Sequence, residues 1–428
     1  MNDAIAAEVP SVALSGAPAS ARTLAAARTR ATILDAAKEL YIERGFGAVS
    51  VRDIAARAGL SHPGVLRHFA SKDEILAAVV EDLSEQSRNL IGELGFDLDL
   101  IGALARLNAS IPGYIPLFTT LAGEATSDAH PAHDRFRARH AVLRTLTAEM
   151  FERTIENGAL PRDISAVSES VRLTAAWDGL QLISLYLPER CDVPALLETH
   201  VARLLGREAP RSPHAQRAVT DIDFEQPWVL DLGYAPGRER RARIVAEAST
   251  LFASRGFHAT SLREIAACVG IGKSTLLHHF STKEDLLAAV VAHRDASIEE
   301  RTVREDSAST PLDTLLSLPE GARHDTARTP GLIELYAVLS AEAAAPSHPA
   351  HAYFEKRFEN VIGTFTEMFA RASAVGDLPA DIDPEFEAIW LAALWDGLQL
   401  QWLYDPESVS VGDELAGHIK QLLVSTDA

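Results

Sequence analysis

The chain has 428 residues, enough for two or more domains that each bury a core. Hydrophobic residues make up 47% of it and aromatic residues only 6%, which is typical of helical proteins in water. Two isolated cysteines, Cys191 and Cys268, argue against a disulfide-rich secreted domain, and no apolar run of about 18 residues predicts a membrane span. We therefore expect a cytoplasmic protein without a membrane partner.

The formal net charge is −20, but it is unevenly distributed. We count ten Lys and Arg against nine Asp and Glu in residues 22–90, and nine against six in residues 237–295. The excess acid therefore lies outside these two segments. Because phosphate binding needs a locally basic surface rather than a basic protein, the composition leaves nucleic acid open as a partner.

The chain contains an internal repeat. Residues 33–80 align without a gap with residues 244–291, and 22 of the 48 paired positions are identical. Later matches, such as Trp177-Asp-Gly-Leu-Gln-Leu182 with Trp395-Asp-Gly-Leu-Gln-Leu400, have an offset of 218 instead of 211. The second copy thus holds seven extra residues, which we place in the polar stretch Thr302–Thr310. Such a long repeat indicates duplication of a whole protein rather than a solenoid.

Each copy begins with a predicted series of short helices. In the first copy, apolar residues at helical spacing predict a helix over Ala25–Arg44 that ends at Gly45. Ser50 and Asp53 then form a capping box for a second helix, and a third extends to Phe69, with Phe280 as its counterpart in the second copy.

Longer amphipathic helices follow, and no stretch alternates as a strand does, so we predict an all-α fold. In the first copy these helices cover roughly Arg135–Glu156, Ser165–Tyr186 and Pro194–Leu205, with counterparts after Pro349.

The second and third helices of each copy have the pattern of a helix-turn-helix motif, whose second helix lies in the DNA major groove. The candidate recognition helices are Ser61–His68 and Gly272–His279, with small or polar residues at their N-terminal ends. We expect Arg67 to bind a guanine edge, and Val65 or Thr275 to contact a thymine methyl group.

Basic residues in the first turns of the flanking helices are expected to bind phosphate together with backbone N–H groups; these are Arg52, Arg263, Lys72 and Lys283. The full set of predicted DNA contacts is Ser50, Arg52, Ser61, His62, Gly64, Val65, Arg67, His68 and Lys72 in the first copy and Ser261, Arg263, Gly272, Lys273, Ser274, Thr275, His278, His279 and Lys283 in the second.

Both copies resemble the TetR/AcrR family of transcriptional regulators. In the first copy the matching residues are Gly45-Phe46, Ser50–Ala56, Gly59–Ser61, His68-Phe69 and Ser71-Lys72. The resemblance covers nearly the whole chain as two successive copies. It implies, for each copy, a three-helix DNA-binding head and a helical body that binds a small molecule and contributes to dimerisation. It also implies a repressor that leaves its operator when the effector binds, with a ligand-independent or activating regulator as the alternative.

The chain departs from the family pattern in the heads. The family commonly has a Tyr where this chain has Leu66 and Leu277, so that phosphate contact is not expected here. Pro63 makes the first recognition helix less regular, and the two helices differ at most exposed positions. We therefore expect an operator that is an imperfect inverted repeat with unequal half-sites.

The repeat and the resemblance together predict six segments. They are a flexible tail (1–21), a first head (22–92), a first body (93–206), a linker (207–236), a second head (237–298) and a second body (299–428).

The two Trp-Asp-Gly-Leu-Gln-Leu segments fall in a helix that resembles the dimer contact of the family, where Gly179 and Gly397 would allow close approach. We expect an intramolecular pseudo-dimer, with a dimer of tandem chains as the competing possibility. Its four-helix bundle is predicted from Ser165–Tyr186, Pro194–Leu205, Glu385–Tyr404 and Val411–Leu423.

We expect an effector to bind between the helices of each body, although core packing is an alternative role for each candidate residue. One of the matched acids Glu124 and Glu342 is a candidate to meet a polar or cationic group of a ligand, with a surface or capping role as the alternative. The candidate lining is Phe118, Leu121, Glu124, Phe136, Met150 and Trp177 in the first body and Leu335, Leu339, Glu342, Phe354, Met368 and Trp395 in the second.

Other chemistry finds little support. His130 with His133, and His348 with His351, have the i, i+3 spacing of a chelating pair, but each pair brackets a proline at a helix start. We predict turns there and no metal. The chain lacks a Gly-rich phosphate loop, a nucleophile elbow and a metalloprotease motif, so we predict neither catalysis nor a cofactor.

Overall fold

The computed structural model describes residues 21–94, 97–208, 235–255, 260–304, 310–348 and 350–424. Within these ranges every regular element is a helix, and none of these helices is long and apolar enough to cross a membrane. Almost all of the predicted tail and linker lies outside the described residues.

The two copies have the same order of helices. The first copy contains α1 (Ala21–Ala48), α2 (Val51–Arg57), α3 (His62–Leu66), α4 (Lys72–Leu94), α5 (Leu100–Ser110), α6 (Tyr114–Glu124), α7 (His133–Glu156), α8 (Ala166–Ser184) and α9 (Val193–Leu204). The second contains α10 (Ala235–Arg255), α11 (Leu262–Val269), α12 (Lys273–His279), α13 (Lys283–Arg304), α14 (Pro311–Arg328), α15 (Pro330–Glu342), α16 (His351–Ala374), α17 (Pro384–Tyr404) and α18 (Val411–Val424).

Of the two helix ends predicted in the first head, the one at Gly45 is confirmed and the one at Phe69 was wrong. The backbone leaves the helical region at Gly45 (φ 74°), as predicted, but α1 resumes beyond this kink and ends at Ala48. The third helix, predicted to extend to Phe69, ends at Leu66. There the N–H groups of His68 and Phe69 both donate to the carbonyl of Val65, which closes the last turn early.

The predicted position of the seven extra residues was also wrong. α14 begins at Pro311, still 211 residues after the start of α5 at Leu100. α14 has 18 residues and α5 has 11, so the insertion lies inside this helix rather than before it. Seven residues make about two helical turns, so the helix lengthens while its buried face keeps its direction.

The two copies meet where α8 crosses α17. A Cβ added to Gly179 would overlap the backbone carbonyl of Ala393, and one added to Gly397 would overlap the carbonyl of Ala175. These two contacts occupy matched positions in the two copies. The close approach predicted from the glycines is therefore present, and it brings the two backbones into direct contact.

Two further contacts repeat across this crossing. The Tyr186 hydroxyl of the first copy donates to the carbonyl of Ser340, and the Tyr404 hydroxyl of the second copy donates to the carbonyl of Ala122. Both tyrosines are buried. Each copy thus inserts one tyrosine against the body of the other.

The C-terminal helix of each copy flanks the crossing. His200 of α9 stacks on Trp390 of α17 with ring centroids 3.8 Å apart. On the opposite side, Arg172 of α8 donates to Glu414 of α18 over 2.9 Å. His418 of α18 is buried as well, and this burial lowers its pKa to about 3, so the histidine is neutral at pH 7. The four helices α8, α9, α17 and α18 thus lie together.

Replacing Gly397 with alanine places a methyl group against the Ala175 carbonyl. Because backbone atoms on both sides fix the crossing, we expect the free energy of unfolding to fall by about 1–3 kcal/mol, measured by urea denaturation. Gly321→Ala is the matched control, since a Cβ there meets no atom within 4 Å. It should be neutral or stabilising by up to about 1 kcal/mol, because alanine favours helix. Equal effects of the two substitutions would contradict the close crossing.

Candidate DNA interface and effector sites

The second helix of each head begins at a capping box. In the first head, the Ser50 N–H donates to the Asp53 carboxylate over 2.8 Å, and the Asp53 N–H donates to Ser50 Oγ over 3.2 Å. Ser261 and Glu264 make the matched pair, at 2.7 and 3.3 Å. These caps use the serine side chains that were predicted as DNA contacts and fix the start of α2 and α11.

The recognition helices expose different side chains in the two heads. Ser61 caps α3 by accepting from the Gly64 N–H over 3.1 Å, whereas Gly272 precedes α12 as its N-cap residue and offers no side-chain cap. Arg67 is exposed just after α3, and Lys273 is exposed at the start of α12. The guanidinium of Arg67 therefore follows the first recognition helix, whereas the ammonium of Lys273 lies at the start of the second.

Most of the predicted DNA contacts lie on accessible surface. The exposed ones are Ser50, Arg52, Ser61, Arg67, Ser261, Arg263, Gly272, Lys273, Ser274 and His278, and the half-buried ones are His62, Gly64, His68, Lys72, Thr275, His279 and Lys283.

Val65 cannot contact a thymine methyl group, because it is fully buried in the core of the first head. Its counterpart, Leu276, is equally buried in the second head. Thr275, half-buried one position earlier, matches Gly64 of the first copy. The predicted methyl contact is thus wrong for Val65 and remains a prediction for Thr275.

The ammonium of Lys72 makes hydrogen bonds within the first head. Its Nζ donates to the carbonyls of Phe46 (2.9 Å) and Val49 (2.8 Å) and lies 4.0 Å from the centre of the Phe46 ring. Burial lowers the pKa of this lysine. The ammonium of Lys72 thus holds the turn between α1 and α2, and the phosphate contact predicted for it stays a prediction.

A matched pair of arginines, which was not predicted from the sequence, holds the recognition helices. Arg30 donates to the carbonyl of His68 over 3.1 Å and covers the Phe69 ring at 3.9 Å. Arg241 donates to the carbonyl of His279 over 2.9 Å and covers the Phe280 ring at 4.2 Å. The two arginines keep the offset of 211, but Arg30 precedes the aligned segment by three residues.

The first head is joined to its body at Glu124. This buried carboxylate accepts the N–H of Phe46 over 2.8 Å, directly after the kink at Gly45. A Cβ on Gly45 would overlap the carboxylate, so the glycine gives Glu124 room to approach. The His130 ring lies edge-on to Phe46, and burial lowers its pKa to about 4. Glu124 is thus a backbone cap at the joint between head and body, one of the two roles considered for it.

The candidate effector residues lie within packed cores. Phe136 stacks on Tyr404 of the other copy, with ring centroids 6.3 Å apart, and the Phe354 ring lies tilted against Tyr186, with centroids 5.9 Å apart. The tyrosines thus occupy space that an effector was expected to fill. Phe118, Leu121, Glu124, Phe136, Met150, Leu335, Leu339 and Phe354 are buried, whereas Trp177, Glu342, Met368 and Trp395 are half-buried.

Concave sites lie elsewhere among the described residues. A small cavity of about 30 Å³ lies between the copies, lined by α6, α8, α15 and α17; of the candidates above only Phe118 lines it. A larger cleft of about 260 Å³ lies between the second head and the start of α16. We call it the head–body cleft. It is lined by Arg241, Phe280, Glu284 and Ala288 of the head and by Ala350 and Tyr353 of the body, among others.

The paired histidines form turns through backbone contacts. Nδ1 of His133 lies 2.9 Å from the carbonyl of Ala125, and Nδ1 of His351 lies 2.9 Å from that of Ala343. Among the described residues no group of three or more His, Cys, Asp or Glu side chains could hold a metal ion.

Comparison with known proteins identifies the same two heads. The model of the bacterial regulatory proteins of the TetR family matches residues 33–79 and again residues 244–290. A model of the C-terminal part of BetI-type transcriptional repressors matches residues 313–424. The chain belongs to the TetR family. The resemblance found in the sequence is thereby confirmed, including its tandem arrangement.

Individual relatives are also transcriptional regulators. The HTH-type transcriptional repressor Rv3405c of Mycobacterium tuberculosis is 46% identical over 61 residues, which are 14% of this chain and 32% of that protein. The chain thus spans about a third of that relative. The regulator TtgR of Pseudomonas putida is 26% identical over 182 residues, 39% of this chain and 85% of TtgR. Among solved structures, Salmonella enterica GusR is 26% identical with a TM-score of 0.36, covering 44% of this chain and 96% of GusR.

Replacing Glu124 with leucine leaves the Phe46 N–H buried without its acceptor. We expect the free energy of unfolding to fall by about 1–3 kcal/mol. Glu124→Gln should lose less, because its amide oxygen can still accept this hydrogen bond. Glu149→Leu, on the exposed face of α7, is the matched control and should change little. Urea denaturation of the four proteins is the measurement, and equal stability of Glu124→Leu and wild type would rule out this role.

Proposed function

We propose that this chain is a transcriptional regulator that binds one operator with both of its heads, one on each half-site. The observation that carries the proposal is the presence of two helix-turn-helix heads on one chain, with different exposed side chains on α3 and α12. Related proteins place their recognition helices in successive major grooves about 34 Å apart, usually by dimerising. Here the second head is covalently attached, and an operator in bacterial DNA implies a cytoplasmic location.

We further propose that the binding form is a monomeric pseudo-dimer. The crossing of α8 and α17 supports this, since both copies of a single chain contribute matched contacts to it. The six segments predicted above serve as its domains. A dimer of tandem chains would instead present four heads, and it is the alternative that the DNA experiment below distinguishes.

The DNA contacts follow from the exposed residues of each head. Arg67 is the candidate for a guanine edge in one half-site, and Lys273 is the candidate in the other. Arg52 and Arg263, exposed in the first turns of α2 and α11, are suited to bind phosphate together with the backbone N–H groups of those turns. Unequal half-sites follow because the two recognition helices differ.

The sign of regulation is proposed to be repression, relieved by a small molecule. By linkage, an effector releases the operator only if it favours a conformation in which the heads are wrongly spaced. The head–body cleft supports this mechanism, because a molecule in it would contact the second head and the second body together. Its lining includes the Phe280 ring, the Glu284 carboxylate and the Tyr353 side chain, which suits a small amphipathic molecule.

Selection of bound sequences from random DNA tests the half-site assignment. We expect wild type to select an imperfect inverted repeat, Arg67→Ala to relax one half and Lys273→Ala the other. Each substitution should cost about 1–3 kcal/mol of discrimination at its position. A perfect palindrome, or equal effects of both variants on both halves, would contradict binding of one chain to both half-sites.

A thermal-shift screen with small organic acids, bases and neutral metabolites tests effector binding. A compound at 100 times its Kd should stabilise the native state by about 2.7 kcal/mol and raise the melting midpoint. Ala289→Phe, which fills the head–body cleft, should abolish the shift, whereas Ala78→Phe at the matched position of the first head should retain it. A shift that survives Ala289→Phe would exclude the cleft.

A ligand-independent or activating regulator is the second candidate. The observation that favours ligand independence is the close packing between the copies, where the cavity of about 30 Å³ is no larger than a water molecule. If the regulator is ligand-independent, no compound in the screen should both raise the melting midpoint and release DNA.

A further inference from the structure

The interface between the copies has a symmetric centre and an asymmetric surround. At the centre, the glycine contacts of α8 and α17 and the two crossing tyrosines occur twice, at positions related by the offset of 218. Around this centre lie several polar pairs that occur once only among the described residues. Their matched positions carry residues of different chemistry.

The first such pair joins α7 of the first copy to the end of α17. Arg144 donates to Gln401 over 3.3 Å and to Asp405 over 2.5 Å. Both the arginine and the glutamine are buried. Gln401 in turn donates to Asp178 of the first copy over 3.0 Å. The two copies are thus linked here by a network of buried hydrogen bonds and one ion pair.

The matched place on the other side of the interface is apolar. The position that corresponds to Arg144 is Ile362, and those that correspond to Gln401 and Asp405 are Ile183 and Leu187. All three residues are buried hydrophobic side chains. The interface therefore has an ionic contact at one end and buried aliphatic residues at the symmetry-related positions.

A second pair shows the same asymmetry. Arg172 of α8 donates to Glu414 of α18 over 2.9 Å, and the matched positions hold Trp390 and Leu196.

A third pair follows the same pattern. Arg190 donates to Glu385 over 3.0 and 2.8 Å, and Ser408 and Val167 stand at the corresponding positions. Three independent pairs thus have the arginine in the first copy and the carboxylate in the second, so the interface faces of the two copies differ.

These differences decide which copies can pair. If two first copies met in the same geometry, Arg144 would face Leu187, and Arg172 would face Leu196 and keep only Glu169 of its own helix as a partner. If two second copies met, Asp405 would face Ile362. Each such pairing buries a charged group without its partner, which is strongly unfavourable, whereas the unlike pairing satisfies every one of them.

We propose that each copy accepts only the other copy as its partner, because the two interface faces are complementary to each other and mismatched to themselves. The first-copy face consists of α7, α8 and α9, and its partner is the face formed by α16, α17 and α18. This inference goes beyond the regulatory function, since it requires neither DNA nor an effector.

The experiment uses the full chain with a specific protease site inserted between residues 209 and 234, cleaved after folding. Cleaved protein is mixed with an isotopically labelled sample, and urea is raised until label exchanges between complexes. Native mass spectrometry then shows which fragments pair. We expect complexes of unlike fragments only. Dimers of like fragments from the wild-type protein would overturn the proposal.

Two substitutions test whether the ion pair of Arg144 and Asp405 contributes to the preference for unlike fragments. Arg144→Ile and Asp405→Leu each introduce the residue found at the matched position of the other copy. Each alone should raise the Kd of the unlike fragments about 100-fold or more, because the remaining charge loses its partner. Together they should recover at least tenfold of this loss, whereas dimers of like fragments should stay absent because the pairs Arg172–Glu414 and Arg190–Glu385 remain.

Arg137→Ile, on the exposed face of α7, is the matched control and should leave the Kd unchanged. Circular dichroism of each uncleaved variant establishes that it is folded before cleavage. Additive effects of the two interface substitutions, with no recovery in the double variant, would overturn the proposal as clearly as like dimers of the wild type.

Discussion

The direct contact of the α8 and α17 backbones is the constraint on which the rest of the structure depends. Gly179 and Gly397 allow it, since any side chain at either position would overlap a carbonyl of the opposite helix. The same approach brings α6 against α15, where a Cβ on Gly123 would overlap the side chain of Ala341. It also brings Tyr186 and Tyr404 within reach of the opposite body. Since α6 ends at the joint with the first head, the crossing helps to position that head.

Features that depend on local chemistry could be predicted from the sequence. The capping boxes at Ser50 and Ser261 and the kink at Gly45 involve residues close together in the chain, and all three are present. The orientation of a side chain on a short helix could not be predicted in the same way. Val65 faces the core and Lys72 faces the α1–α2 turn because the packing of the whole head determines those directions.

Features that join distant parts of the chain were beyond sequence reasoning. Glu124 contacts Phe46 across 78 residues, and Arg144 contacts Asp405 across 261 residues. An acid in an apolar helix suggests a ligand or a cap equally well until its partner is known. The effector residues show the same limit, because the sequence marks apolar faces but does not show which of them the other copy covers. The tyrosines that cover Phe136 and Phe354 come from the opposite copy.

The difference between the two recognition helices has a consequence for geometry along the DNA. A regulator made of two identical subunits has a twofold axis, so its complex with an operator looks the same from upstream and downstream. With Arg67 after one helix and Lys273 at the start of the other, this chain has no such axis. Bound as proposed, it would lie on the duplex in a single polarity, with the second head and its adjoining cleft always directed toward the same flanking gene.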